Sequence, residues 1–86
     1  MLINTFLGLT ADLQPNWPLF TKDKAVSKIQ VESRQCSLLT GNKALTLAKG
    51  RQLLAKIKAQ DLPLAVAGLP VYSVQVDLKG KKIVIR

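Results

Sequence analysis

The sequence has no histidine and only one cysteine, Cys36, among its 86 residues. A lone cysteine excludes a disulfide within the chain, and the commonest general base and metal ligand is missing. A zinc site needs several cysteine or histidine ligands, so we expect neither a metal nor another cofactor. Cys36 falls at an inward position on an expected strand, which indicates a small core residue and not a nucleophile.

Acidic residues are scarce as well. The chain has five, and they are Asp12, Asp23, Glu32, Asp61 and Asp77. None forms the local carboxylate pair that acid–base catalysis uses. A glycine-rich phosphate loop is also missing, since residues 67–70 (AGLP) are typical of a turn. We therefore expect a protein that is not an enzyme.

Long apolar runs are absent too. No segment approaches the roughly 20 apolar residues of a membrane helix. The apolar stretch Met1 to Leu9 lacks the basic start and the cleavage site of a secretory signal. A free cysteine fits a reducing compartment, so the sequence predicts a cytoplasmic protein with no membrane partner.

The chain does contain enough apolar residues, 48%, for one small core. Its length predicts a single domain over residues 1–86. One irregular loop is expected at about residues 10–24, where Pro15 and Pro18 remove backbone donors and disfavour helix. The apolar segment before this loop is expected to be a strand.

The C-terminus shows the clearest local pattern. Apolar and polar residues alternate over 71–78, which predicts a strand with one apolar face, Tyr72, Val74, Val76 and Leu78. A hairpin with residues 82–86 matches apolar with apolar and acid with base in the pairs Val74–Ile85, Val76–Ile83 and Asp77–Lys82. The loop could be the two residues Lys79-Gly80, although lysine suits the first position of a type I′ turn poorly, or the four residues 78–81, which keep the same pairing; the sequence leaves the turn type open.

The middle of the chain predicts strands followed by one helix. Alternation indicates a strand at 28–32, and residues 36–47 are interpreted as a hairpin. The alternative is that Asn42 caps a helix. An apolar stripe predicts a helix at about 49–60, formed by Leu53, Leu54 and Ile57. Another strand is expected at 62–66.

This order of elements predicts an α+β fold. Its core would be a small, mainly antiparallel β-sheet or a partly open barrel, with one helix and a C-terminal β-hairpin. A helix between the third and fourth strands is also the order of the five-stranded OB barrel, so an OB-like arrangement is compatible with the sequence.

Positive charge is in excess, with 13 bases and a net charge of +8. Residues 1–21 carry one acid and no base, so residues 22–86 carry thirteen bases against four acids. Since a mixed-sign surface suffices for solubility, this excess indicates phosphates. We expect a nucleic-acid-binding protein with little sequence specificity, because contacts to backbone charge do not read bases. The expected contacts are Lys79, Lys81, Lys82, Arg86, Arg51, Lys58, Lys22 and Lys24.

Aromatic residues suggest the kind of nucleic acid and also an alternative function. Trp17 and Phe20 lie in the proline-containing loop, where they could stack on bases, which slightly favours single strands as the partner. We favour a role for them in pinning the loop to the core. They could also contact a protein. The alternative function is thus a protein-interaction module that self-associates or docks on an acidic partner, through a sheet edge and the Trp17–Phe20 loop.

Overall fold

A computed structural model describes all residues of the chain, 1–86. The fold is α+β, as predicted, and its sheet curls into a partly open barrel. There are two helices rather than one, and seven strands. The elements in chain order are α1 (Ile3–Leu9), β1 (Leu19–Thr21), β2 (Lys24–Val31), β3 (Cys36–Gly41), α2 (Leu47–Ala55), β4 (Leu64–Val66), β5 (Leu69–Pro70), β6 (Val74–Asp77) and β7 (Lys82–Ile85).

The strand order in the sheet is β5-β4-β3-β2-β1-β7-β6. Two of the pairings are parallel, β1 with β7 and β3 with β4, and the other four are antiparallel. The sheet is therefore mainly antiparallel, as predicted. The helix α2 lies between the third and fourth strands, as in the OB order, but this sheet has seven strands instead of five.

The residues between β5 and β6 bring the two ends of the strand order together. The N–H of Val71 donates to the carbonyl of Leu64 in β4 at 3.0 Å. The N–H of Tyr72 donates to the carbonyl of Arg86, just after β7, at 2.6 Å. Two consecutive residues thus bond to strands near opposite edges of the sheet, so the chain passes from one edge to the other at this point, and β5 and β6 are not paired with each other.

One hydrophobic core lies between the sheet and the two helices, and Cys36 is part of it, as predicted. We call the sheet face that bears Leu19 and Ile83 the inner face and the opposite one the outer face. Glycine lets α2 approach the inner face, because a Cβ at Gly50 would lie 2.6 Å from Leu19 Cδ1. The core residues are Ile3, Phe6, Leu19, Val26, Cys36, Leu38, Leu47, Leu54, Leu64, Val71, Ile83 and Ile85.

The C-terminal hairpin is confirmed, including its register. The pairs are Val74–Ile85, Gln75–Val84, Val76–Ile83 and Asp77–Lys82. The loop is the four-residue one, 78–81, and Lys81 takes the left-handed conformation with φ 53°. The N–H of Gly80 donates to Asp77 Oδ1 at 2.9 Å. A Cβ at Gly80 would lie 2.8 Å from the other carboxylate oxygen, so glycine suits this turn.

The prediction of an N-terminal strand is wrong, because this segment forms the helix α1. Ile3, Phe6 and Thr10 are buried at helical spacing, and the hydroxyl of Thr10 donates to the carbonyl of Phe6 at 2.8 Å. The short segment is apolar on several sides, and Leu9 remains exposed. Its helical period was therefore hidden among additional leucines.

The expected hairpin over residues 36–47 is also wrong. β3 ends at Gly41 and pairs with β2 and β4 instead. Thr46 then caps α2, since its hydroxyl accepts from the N–H of Lys49 at 3.1 Å. The helix at about 49–60 is confirmed but is shifted to Leu47–Ala55. At its end, the side chain of Gln60 donates to the carbonyls of Leu54 and Ile57, which supplies donors to carbonyls that the helix leaves free.

The face of the C-terminal strand that was expected to be half-buried is largely exposed. Tyr72 is 79% exposed, Leu78 76% and Val76 41%. Val74 packs against the core. The reason is that β6 lies at the edge of the sheet, where side chains have neighbours on one side only.

The loop expected at about 10–24 is irregular only in its first part, since β1 begins at Leu19. Trp17 is half-buried and packs against the core. Its carbonyl accepts from the N–H of Leu47 at 2.8 Å, so the segment around Trp17 is tied to the start of α2. Neither helix has the length or apolar character to cross a membrane.

Candidate functional site

An aromatic ring and a lysine meet on the outer face of the sheet. β1 and β7 run parallel, and their register places Phe20 beside Val84. Lys82 precedes Val84 by two residues on the same face, and its Nζ lies 5.0 Å from the centroid of the Phe20 ring. This distance permits a cation–π interaction, which keeps the positive charge over the ring.

Three further bases gather at one end of these two strands. The register pairs Leu19 with Ile83 and Phe20 with Val84. Continued by two residues, it places Lys22, which follows β1, beside Arg86, which follows β7. Lys24 pairs with Thr21 across the short turn into β2. Lys22, Lys24 and Arg86 are exposed. Lys82 stands at the other end of β7, about 13 Å from Arg86 along the strand.

A shallow groove of about 560 Å³ borders the Phe20 ring. It runs between the β1–β2 turn and the turn that follows β3. Its lining consists of Phe20, Asp23, Lys24, Ala25, Thr40, Gly41, Asn42 and Ala44. A neighbouring groove is lined in part by Lys28 and Lys43. These two bases were not among the predicted contacts, although the outward position of Lys28 on its strand was a usable signal.

The hairpin loop continues the basic surface beyond Lys82. Lys79 and Lys81 are exposed in this loop. Asp77, on the outer face opposite Lys82, accepts from the loop N–H of Gly80, so its carboxylate is directed toward the turn.

Two predicted contacts lie apart from this face. Arg51 is on α2, which packs on the inner side of the sheet. Its guanidinium donates to the carbonyl of Leu7 at 2.5 Å and to the hydroxyl of Thr10 at 2.6 Å. Arg51 thus fastens the end of α1 to α2. Lys58 is exposed in the segment after α2.

The surroundings of Cys36 oppose nucleophilic chemistry. Desolvation by burial raises the pKa of the Cys36 thiol, and the nearby negative charge of Glu32 raises it further. Glu32 itself accepts from the hydroxyl of Ser37 at 2.8 Å and from the amide of Gln35 at 3.1 Å. A neutral, buried thiol is a poor nucleophile, and this polar group braces the turn between β2 and β3.

The chain matches no protein-family model, no curated protein and no solved structure. Its function is therefore inferred from its own surface. The outer face around Phe20 is the strongest candidate, because it combines an aromatic ring, a groove and several bases.

Proposed function

We propose that the chain is a small, non-catalytic nucleic-acid-binding module. Single-stranded nucleic acid would lie along the outer face of β1 and β7, with its phosphates on lysine and arginine side chains and little sequence preference. One observation carries the proposal: Phe20 lies between Lys82 on one side and Lys22 and Arg86 on the other, and Lys24 lines the same groove as Phe20.

The arrangement suits a single strand better than a duplex. Proteins that bind single strands without sequence preference combine a positive groove with aromatic rings on which bases stack. Phe20 is partly exposed and borders the groove, so an unpaired base can reach its ring. In a duplex the base faces are stacked on one another, so the Phe20 ring would find no free base face, and only phosphates and the base edges in the grooves would be available.

The local charge balance favours an anion. The acids closest to Phe20 and Lys82 are Asp23, which lines the groove, and Asp77, which is engaged with the hairpin loop. The bases that border the face and its grooves are Lys22, Lys24, Lys28, Lys43, Lys82 and Arg86. The resulting positive potential attracts a polyanion and speeds its association.

Fluorescence anisotropy with labelled single-stranded oligonucleotides tests the proposal. If about five phosphates are neutralised, the logarithm of the affinity should fall against the logarithm of the salt concentration with a slope near −3.5. Binding that is absent at low salt, or insensitive to salt, contradicts the proposal.

A pair of double variants locates the surface. Removing Lys82 and Arg86 with alanine should weaken binding to all sequences and make the salt slope shallower by about 1.4. The matched control removes two exposed charges after α2, Lys56 and Lys58. If the control loses as much affinity as the first variant, net charge and not the outer face is responsible.

The alternative function, a protein-interaction module, was based on a sheet edge and on the Trp17–Phe20 loop, and only the sheet edge still favours it. Trp17 is packed against the core, so it offers little surface to a partner. The edge of the sheet at β6 is open. Self-association through that edge is compatible with nucleic-acid binding on the outer face.

A further inference from the structure

The two edges of the sheet differ in how well they are protected. β5 is two residues long, and its Pro70 has no N–H to offer to another strand. β6 has four residues, with neither proline nor a bulge. Edge strands without such features are templates for further pairing. The unprotected edge is therefore β6.

The hydrogen bonds of β7 show which groups of β6 are free. Ser73 and Arg86 exchange two backbone hydrogen bonds at 2.9 Å, whereas the N–H of Ile83 donates to Pro18 on the other side of β7. Bonded and non-bonded pairs alternate along an antiparallel ladder. Val74 and Val76 therefore direct their N–H and C=O groups away from β7, toward the open side.

The same edge carries apolar side chains that nothing covers. Tyr72, Val76 and Leu78 are exposed, and they alternate along one strand with polar residues between them. Backbone groups and apolar side chains are thus both available at one edge. This combination is typical of a site where an extended segment adds to a sheet.

We propose that a second copy of this chain pairs antiparallel with β6, with Gln75 opposite Gln75 of the second copy. In this register Val74 faces Val76, and their outward backbone groups exchange hydrogen bonds. Tyr72, which precedes β6, then lies at the same end of the pairing as Leu78 of the second copy, which follows β6, so the two most exposed apolar side chains of the edge are brought near each other. A register shifted by two residues toward the hairpin loop would place Tyr72 opposite Gly80 and leave it exposed, and the opposite shift would leave Leu78 without an apolar partner.

Charge complementarity supports the second copy as the occupant. The register places Asp77, the only acid of β6, opposite Ser73 of the second copy. Arg86 pairs with Ser73 on the outer face, about 10 Å from this carboxylate across two strand spacings. A long arginine side chain spans much of that distance, so the pairing brings a base of one copy toward the acid of the other. No two like charges face each other in the pairing.

The dimer would join the two sheets across a two-fold axis. Because the axis runs perpendicular to the plane of the joined sheet, both outer faces lie on the same side of it. The inference rests on the edge and its register, and it stands whether or not nucleic acid binds.

Sedimentation velocity over a range of protein concentrations tests the pairing. The wild-type chain should shift from monomer to dimer as concentration rises. Val76→Pro removes an N–H that makes no bond within one copy, and it should weaken the dimer at least roughly tenfold. Val76→Lys, a second variant, places a charge against the apolar Val74 of the second copy, with the like charge of its symmetry mate two residues further along, and should do the same. The matched control is Leu9→Lys, which removes another exposed apolar residue on α1 and should leave the dimer intact.

A cysteine cross-link tests the register. In Gln75→Cys, the two new thiols lie on directly opposite residues about 4.5 Å apart at their Cα atoms, within disulfide range. In Lys79→Cys the two positions are offset by eight residues, roughly 26 Å, and should not cross-link. Buried Cys36 is present in both variants.

Two outcomes overturn the proposal. One is a wild-type chain that stays monomeric through the millimolar range, which would leave the edge to a strand of another protein. The other is a dimer that persists in the folded Val76 variants or that cross-links equally through both cysteine positions. Circular dichroism establishes that each variant is folded before its dimer is measured.

Discussion

Lys82 Nζ lies 5.0 Å from the centroid of the Phe20 ring, although the two residues belong to strands from opposite ends of the chain. The pair forms because β7 inserts beside β1 and places both side chains on the outer face. One partner offers a π-face and the other a charge, which are the two components of single-strand recognition.

Phe20→Leu should therefore weaken binding of single-stranded oligonucleotides. The substitution keeps an apolar side chain of similar size but removes the ring, and stacking contributes about 1–3 kcal/mol per base, or roughly 5- to 150-fold in affinity. Phe20→Tyr keeps the ring and should retain most of the affinity. Anisotropy titrations of both variants provide the measurement. Equal affinities for leucine and tyrosine at this position would exclude stacking on Phe20.

Arg51→Ala should destabilise the fold. The variant leaves the buried hydroxyl of Thr10 and the carbonyl of Leu7 without their charged donor, which costs about 1–3 kcal/mol. Urea unfolding measures the loss in the free energy of unfolding. Once folded, the variant should bind nucleic acid more tightly than Lys82→Ala does. If the Arg51→Ala protein is as stable as the wild type but binds nucleic acid much more weakly, then Arg51 is a nucleic-acid contact and not a structural residue.

Gly50→Ala should destabilise the protein, even though alanine favours helix by about 1 kcal/mol relative to glycine. The new Cβ would lie 2.6 Å from Leu19 Cδ1, and Leu19 is fully buried and has little room to move. Such overpacking costs about 1–3 kcal/mol, so we expect a net loss.

Gly8→Ala is the matched control in the other helix. A Cβ at Gly8 has no heavy atom within 4 Å, so only the propensity gain of up to about 1 kcal/mol applies. Thermal melts of the two variants should move in opposite directions. Stabilisation by both would mean that α2 does not approach Leu19 as closely as described.

Stability should depend on pH through Cys36. Burial, and then the charge of Glu32, raise the pKa of its thiol, so the folded protein holds this proton more tightly than the unfolded chain. The contribution is fully present below the unfolded value, about pH 8.5, and is lost as pH rises through the folded value.

Urea unfolding at a series of pH values measures this effect. Above about pH 8.5, the free energy of unfolding should fall more steeply for the wild type than for Cys36→Ala. The cavity that alanine leaves lowers the free energy of unfolding by the same amount at every pH, so it does not affect the comparison of the two slopes. Parallel slopes would mean that the Cys36 thiol does not titrate differently in the folded and unfolded states.

Local pairing was predictable from the sequence, and long-range pairing was not. The C-terminal hairpin follows from one alternating run, a short loop and matched partners, so its register was predicted correctly. The exposure of Tyr72 depends on whether another element packs next to β6, and the residue pattern of the hairpin contains no information about that. The short helix α1 was missed because seven residues offer fewer than two full repeats of a helical period.

The same contrast between local and long-range features applies to the candidate site. Composition and charge clustering indicated the hairpin bases and the pair Lys22 and Lys24. Their meeting with Phe20 depends on the parallel contact between β1 and β7, which joins segments far apart in the chain. The structural role of Arg51 depends on α1 lying against α2, and α1 itself was not predicted.

The last strand of the chain, β7, lies inside the sheet, between β1 near the beginning and β6. During synthesis, β1 therefore has no neighbour on that side until Ile85 has left the ribosome. Until then the nascent protein presents a bare strand edge and an incomplete core to the crowded cell, and a chaperone that shields β1 would be of most use during that interval.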